Sequence, residues 1–258
     1  IGSLLPGLLL VGLYLLYLIG VALWQPSKMP ALPANERGKI NWVALLASLL
    51  PPLLLIAAVL GSILGGIATP TEAAAVGALG AMLLALLNGQ LSVARLREVS
   101  RATAEISAMV FMILIGASIF SLVFRGFGGE EMIHNLFQQL PGGAFSATLL
   151  VMLVIFLLGF ILDFIEITFV VVPIVGPVLL MMGIDPIWLG VMIALNLQTS
   201  FLTPPFGFAL FYLRGVTPME VPTSAIYRGV LPFIIIQIIM LGIVALWPGL
   251  VTWLPGLL

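Results

Sequence analysis

Two carboxylates, Asp163 and Glu166, stand three residues apart between two long apolar runs of the chain. A carboxylate near the centre of a bilayer costs about 2.5–3.5 kcal/mol on insertion scales, so such groups usually face a cavity and mark an ion or substrate path. Glu72, which also lies between two apolar runs, raises the same question. The positions of Asp163 and Glu166 predict a binding or coupling site inside a membrane protein.

A second polar cluster lies in the segment 196–207, where Asn, Gln, Thr and Ser side chains interrupt another apolar run. Pro204 and Pro205 remove two backbone donors and disfavour helix in the residues before them. Carbonyls near Ser200 and Leu202 should then lack helical partners and could act as hard oxygen ligands for Na⁺. The alternative is a proline kink stabilised by the neighbouring hydroxyl groups.

A third candidate is the small-residue pattern at Gly116 and Ser118, in the middle of an apolar run. Taken alone, small residues in a membrane helix usually indicate close helix packing. Three interrupted apolar segments in one chain, however, are typical of a secondary transporter with a binding site near the midplane.

The composition sets the environment for these residues. Of the 258 residues, 62% are hydrophobic and 7% are charged, and the mean hydropathy is +1.29. Soluble domains have about 25% charged residues, so a soluble enzyme is excluded. A net charge of -1 argues against nucleic acid as a partner. The chain has no Cys and one His, which excludes thiolate chemistry and leaves little for a zinc site.

The apolar runs predict an all-α, polytopic membrane protein. The predicted segments are 4–24, 43–63, 73–87, 108–124, 144–162, 169–182, 188–212 (broken near Thr203) and 229–247. The apolar arm after Glu166 has about 14 residues, whereas a membrane span needs about 20. This favours a re-entrant hairpin over 144–182 with its polar tip near the midplane, and the alternative is a loop in water between two full spans.

The basic residues predict an orientation. With the 144–182 pair entering and leaving on one side, eight of the nine fall on one face, which is then cytoplasmic: Lys28, Arg37, Lys39, Arg95, Arg97, Arg101, Arg214 and Arg228. Only Arg125 lies opposite. The segment 91–105 is predicted to be an amphipathic helix in the cytoplasmic interface or, alternatively, a solvated connector.

An intramembrane enzyme does not fit these residues. An aspartyl protease needs two Asp residues that share a proton, and the only Asp besides Asp163 is Asp185, in a loop. A Ser–His pair would need His134, which lies in a polar outer loop.

Three motifs in order along the chain resemble the large membrane subunit of tripartite ATP-independent periplasmic (TRAP) transporters. They are Thr-Pro-Thr-Glu-Ala-Ala-Ala at 69–75, the block 159–173, and the block 196–207 with its Thr-Pro-Pro. Large subunits of this family are considerably longer than 258 residues, so the chain is expected to correspond to their C-terminal portion.

The resemblance implies a Na⁺-coupled symporter that imports organic acids across the cytoplasmic (inner) membrane of a bacterium or archaeon. It implies two partners, a small four-helix membrane subunit and a periplasmic substrate-binding protein, and no cofactor beyond Na⁺ as the coupling ion. It also implies an inverted-repeat, elevator-type fold with two re-entrant hairpins, the second being 144–182. Residues 1–107 would be mainly scaffold, 108–213 the transport domain with a broken helix at 188–212, and 214–258 a connector and a final helix.

The resemblance also implies roles for individual residues. The two Na⁺ sites would involve Gly116 and Ser118 in a broken helix, and Gly159, Asp163, Leu202, Thr203 and Pro204. Substrate binding or coupling would involve Ile165, Glu166, Asn196, Thr199 and Ser200. The sialic acid importers have Thr-Pro where this chain has Ile165-Glu166, so a different substrate or coupling ion is expected. The alternative is an ion-coupled (Na⁺ or H⁺) secondary transporter of the same type that works without a binding protein.

Overall fold

A computed structural model describes residues 1–30, 41–204, 207–218 and 220–257, and in these ranges the chain is helical without strands. Arg37, Lys39 and Pro205, which entered the sequence predictions, lie outside the described residues. The helices are α1 Leu4–Trp24, α2 Trp42–Leu64, α3 Pro70–Leu87, α4 Val93–Gly126, α5 Gly129–Gln138, α6 Gly143–Leu158, α7 Phe164–Met181, α8 Pro186–Leu202, α9 Phe208–Val216, α10 Thr223–Leu246 and α11 Gly249–Thr252.

Six of these helices are long and apolar enough to cross a membrane: α1, α2, α3, α4, α7 and α10. Helices α5 and α6 together pass the same test but meet at an angle of 119°. The prediction of an all-helical polytopic membrane protein is therefore confirmed within the described residues. The chain divides into a large unit, Ile1–Gln25 with Ala108–Leu258, and a small unit, Pro26–Ser107.

In the small unit, α2 packs along α3. Gly80 of α3 has no side chain to keep α2 away, because a Cβ there would stand 2.2 Å from a methyl carbon of Leu55. Helix α3 begins with a capping box, in which the Thr69 backbone N–H donates to the Glu72 carboxylate at 2.8 Å and the Glu72 N–H donates to the Thr69 hydroxyl at 3.4 Å. Glu72 is exposed at this helix start, so local capping explains its presence.

The core of the large unit surrounds α8, of whose 17 residues ten are buried. Asp185 caps the start of α8 by accepting the Trp188 backbone N–H at 2.8 Å. The buried Trp188 indole then donates to the carbonyl of Val244 in α10 at 2.9 Å. Helices α6, α10 and α9 pack around α8, and α1 packs against α10. Four of the predicted site residues, Asn196, Thr199, Ser200 and Leu202, therefore lie on the helix at the centre of this core.

Three sequence expectations differ from the structure. Helix α4 runs without interruption through Gly116 and Ser118, so the broken helix expected there is wrong; the Ser118 hydroxyl donates to the Leu114 carbonyl at 2.8 Å and leaves the helix intact. The segment 91–105 does not form a separate helix, because α4 begins at Val93 and continues into the following span. Helix α7 begins at Phe164, inside the predicted tip, and so has 18 residues, of which the 15 after Glu166 agree with the predicted arm of about 14.

The third difference has a local cause. Asp163 accepts the backbone N–H of Phe164 at 2.7 Å and starts α7 there, which places Glu166 inside the first helical turn. At 1.5 Å per residue, 18 residues extend about 27 Å, close to the roughly 30 Å of a hydrocarbon core. The arm after Glu166 is thus as short as the sequence predicts, while the whole of α7 is long enough for a span.

Candidate functional site

The turn between α6 and α7, here named the tip turn (residues 159–163), carries two of the predicted site residues. Gly159 ends α6 by donating its N–H to the Ile155 carbonyl at 2.9 Å, and Gly159 itself is buried. Asp163, Ile165 and Glu166 follow and are half-buried. The only ion pairs among the described residues are Arg101–Glu105 and Arg125–Glu130, so the two carboxylates of this region have no basic partner in that part of the chain.

The break in the helix predicted near Thr203 is confirmed. Helix α8 ends at Leu202, and Thr203 has extended backbone angles of φ -86° and ψ 122°. Its N–H donates to the Ser200 carbonyl at 3.0 Å and its hydroxyl donates to the Thr199 carbonyl at 2.8 Å. The chain resumes as helix at Phe208. Pro204 cannot donate a backbone hydrogen bond, which explains why the helix stops here.

The tip turn lies directly against the end of α8. A Cβ placed on Gly159 would stand 2.1 Å from the hydroxyl oxygen of Ser200, a distance that only a glycine allows. The ring of Phe164 meets the ring of Phe201 edge to face, with centroids 6.1 Å apart. The structure therefore brings together two segments that are about 40 residues apart in sequence and that were both predicted to hold a site.

The electrostatics of this junction favour a cation. The carboxyl ends of α6 and α8 meet at Gly159 and Ser200, and helix carboxyl ends carry about half a negative charge each. The hydroxyl hydrogens of Thr199 and Ser200 are used within α8, on the carbonyls of Leu195 at 2.7 Å and Leu197 at 2.9 Å. Their oxygen lone pairs remain available as hard ligands.

Asn196, one of the residues predicted to contribute to substrate binding or coupling, lies at the contact between α8 and α6. Its side-chain amide donates to the Met152 carbonyl at 2.7 Å and joins α8 to α6 two turns before the tip turn. It also lines an apolar cavity of about 350 Å³ between α6, α8 and α10. This geometry gives Asn196 a structural role, because its side chain forms a hydrogen bond between two helices.

Gly116 and Ser118 lie apart from this junction. Ser118 lines a separate cavity of about 420 Å³ together with Ser121, Arg125 and two residues of α7, Phe169 and Pro173. No described contact joins Ser118 to the tip turn. Ser121 belongs to the same small-residue pattern in the sequence, whereas Arg125 was not predicted to join it, although the spacing of 118, 121 and 125 places all three on one helical face. Arg125 is paired with Glu130 at 3.0 Å.

The described residues hold no group of three or more His, Asp and Glu side chains that could bind a metal ion. Carbonyl and hydroxyl oxygens at the ends of α6 and α8 are instead the ligand type that suits Na⁺ in transporters with broken helices. Broken helices, a polar junction and a polytopic apolar fold define the class as a membrane transporter component.

Comparison with known proteins identifies the family. The family model described as "Tripartite ATP-independent periplasmic transporter, DctM component" matches residues 1–250, and the chain belongs to this family. The resemblance inferred from the three motifs is therefore confirmed. The family and the relatives named below are transporter permeases, which also confirms that the chain is not an enzyme.

Three of the relatives that match this chain are named for different substrates. The sialic acid TRAP transporter large permease protein SiaM of Vibrio cholerae is 33% identical over 81% of this chain and 48% of its own length. The C4-dicarboxylate TRAP transporter large permease protein DctM of Pseudomonas aeruginosa is 31% identical over 99% of this chain and 59% of its length. The 2,3-diketo-L-gulonate TRAP transporter large permease protein YiaN of Escherichia coli is 26% identical over 88% of this chain and 53% of its own length. The chain thus spans about half the length of the curated relatives it matches.

Proposed function

We propose that this chain is part of the membrane permease of a Na⁺-coupled symporter that imports small organic acids across the cytoplasmic membrane. In this proposal it works with a small membrane subunit and a periplasmic substrate-binding protein. Membership of the TRAP family supports the two partners, and the printed names of the relatives, which include sialic acid, C4-dicarboxylate and diketogulonate permeases, support an organic acid as the substrate.

The observation that carries the Na⁺ part of the proposal is the contact between Gly159 and Ser200. It places the carboxyl ends of two helices together at a point where Thr203 leaves the helix. A bound Na⁺ would be stabilised by the helix ends and by the charge of the nearby Asp163. Gly159, Asp163, Leu202, Thr203 and Pro204 are the proposed residues of this Na⁺ site.

The proposed transport step uses the same junction. Na⁺ bound at the tip turn offsets the negative charge of an incoming carboxylate, so ion and substrate bind together. The residues proposed to contribute to substrate binding or coupling are Ile165, Glu166, Asn196, Thr199 and Ser200. Gly116 and Ser118 are proposed to belong to a second Na⁺ site, completed by residues outside this chain. The proposed transport domain comprises residues 108–213, and the hairpin 144–182 within it is re-entrant. This domain then moves the site across the bilayer by an elevator mechanism.

One observation favours a second candidate for the coupling ion. Glu166 is half-buried in the first turn of α7 and forms no ion pair within the described residues. Such a carboxylate can carry a proton instead of standing beside Na⁺. The second candidate is therefore a proton-coupled transporter of the same fold that works without a binding protein.

The test is uptake into proteoliposomes that contain the full-length permease and its small subunit. A labelled organic acid that binds the cognate binding protein is supplied with that protein under an imposed inward Na⁺ gradient. Uptake that needs both Na⁺ and the binding protein is the expected result. Uptake that is driven by a proton gradient and unaffected by Na⁺ would overturn the Na⁺ proposal and support the second candidate.

A further inference from the structure

A groove with a volume of about 690 Å³ separates α3 from the first part of α4, entirely within the small unit. Small residues of α3 form one wall, and an apolar face of α4 forms the other. The residues that matter for the argument are Ala78, Ala81 and Ala85 on α3 and Arg95, Val99 and Thr103 on α4. Nothing in the proposed transport mechanism uses this groove.

Arg95 provides a charge at one end of the groove. One terminal nitrogen of its guanidinium, Nη1, donates to the backbone carbonyl of Gln90 at 2.7 Å and also to the Gln90 side-chain oxygen. The other N–H groups of this guanidinium make no hydrogen bond with the described part of the chain. Gln90 therefore holds the cation at the end of the groove and leaves donors free for an anion.

The rest of the groove suits a hydrocarbon chain. From Arg95 to Ala104 the helix rises about 13 Å, at 1.5 Å per residue. The α3 wall is apolar, and the α4 wall carries Ser100 and Thr103 among apolar residues. Free guanidinium donors at one end and a mostly apolar remainder match an amphiphile with an anionic head group.

We propose that this groove binds an anionic phospholipid of the bilayer, with an acyl chain along the alanine wall of α3 and the phosphate on Arg95. Basic pockets between membrane helices on the cytoplasmic side recognise such head groups, and the basic residues of this chain predict that side for Arg95. The lipid would fill the space between α3 and the charged first part of α4 and would set their separation.

The experiment is native mass spectrometry of the delipidated full-length permease, titrated with phosphatidylglycerol or with phosphatidylcholine. The wild type is expected to bind phosphatidylglycerol more tightly. Arg95→Gln should weaken that binding about fivefold, which corresponds to about 1 kcal/mol for one basic residue near an anionic surface. Ala81→Leu fills the groove and should weaken binding of both lipids.

The matched control is Arg97→Gln, which removes an exposed charge two residues away that does not line the groove. It should bind lipid as the wild type does. Equal losses of lipid binding in Arg95→Gln and Arg97→Gln would show that the effect comes from general basicity, and this result would overturn the proposal. Unchanged binding in Arg95→Gln would also overturn it, and because Arg95 is exposed this variant should fold.

A cross-linking experiment separates the lipid from a protein occupant. This chain has no Cys, so Thr103→Cys places its single thiol in the groove. A photoactivatable thiol reagent on this position in native membranes should attach to lipid. A cross-link to a polypeptide would overturn the proposal and identify a partner helix as the occupant.

Discussion

Gly159 and Ser200 touch where α6 and α8 end, and the contact leaves no room for a side chain at position 159. The hydroxyl oxygen of Ser200 would lie 2.1 Å, and its Cβ 2.7 Å, from a Cβ added to Gly159. Atoms cannot approach so closely, so either helix would have to move if residue 159 were larger. The proposed Na⁺ site depends on this approach, because it sets the distance between the two helix ends.

The first prediction concerns this contact. Gly159→Ala in the full-length permease should destabilise the protein by about 1–3 kcal/mol, as overpacking usually does, and should reduce Na⁺-driven uptake. The measurements are thermal unfolding and proteoliposome uptake. Combining it with Ser200→Gly should restore uptake to the level of Ser200→Gly alone.

The control is Gly176→Ala in α7, where an added Cβ would meet only a methyl carbon of Val172 at an ordinary 3.7 Å. This variant should behave as the wild type. Equal effects of Gly159→Ala and Gly176→Ala would contradict the specific role of the Gly159–Ser200 contact.

The second prediction separates the two roles of Asp163. Asparagine is as good a helix N-cap as aspartate, so Asp163→Asn should keep the bond to the Phe164 N–H and the stability of α7. It removes the negative charge, so the Na⁺ concentration required for half-maximal uptake should rise at least about tenfold, which corresponds to about 1.4 kcal/mol. Unchanged Na⁺ dependence would show that Asp163 is a cap only.

The third prediction concerns the hydrogen bond between α8 and α6. Asn196→Leu removes the bond from its amide to the Met152 carbonyl and should lower the free energy of unfolding by about 1 kcal/mol. Gln198→Leu, an exposed amide on the same helix, is the control and should have little effect. If Asn196 contacts substrate directly, the variant would instead change the substrate concentration for half-maximal uptake while its unfolding temperature stays the same.

The fourth prediction concerns a buried amide without partners. Gln237 in α10 is 1% exposed, and neither its side-chain oxygen nor its nitrogen has a hydrogen bond within the described part of the chain. The Tyr14 hydroxyl of α1 is also buried and interacts with the Gln237 side chain, although no hydrogen bond of standard geometry joins the two. A buried unsatisfied polar group costs about 1–3 kcal/mol, so Gln237→Leu should raise the unfolding temperature.

Tyr14→Phe serves as the companion variant and should also be neutral or stabilising. A lower unfolding temperature in both single variants would contradict this prediction. It would show that the two side chains, directly or through a water molecule, hold α1 against α10.

Several features could be predicted from the sequence because their causes are local. Runs of apolar residues of sufficient length predict membrane helices whatever they pack against, since the bilayer has no water to hydrogen-bond exposed backbone groups. The stop of α8 before Pro204 follows from the ring and the missing N–H of proline. The three motifs in order were enough to identify the family.

Other features depended on what lies near a residue in space. The sequence shows a glycine at 159 and a serine at 200, but only the packing of α6 against α8 brings these two residues into contact. Likewise Gly116 was expected to break a helix, yet the Ser118 hydroxyl bonds within α4 and the helix continues. Asp163 determined where α7 begins, so the helix includes residues 164–166, which composition alone had assigned to the polar tip.

The sequence by itself therefore determined the membrane environment, the number and type of the main helices, and the family. The tertiary structure alone decided which polar residues meet, because the partners of a side chain are set by helix packing and not by neighbours along the chain. That distinction explains why Asn196 forms a hydrogen bond between two helices and why Gly159 contacts Ser200.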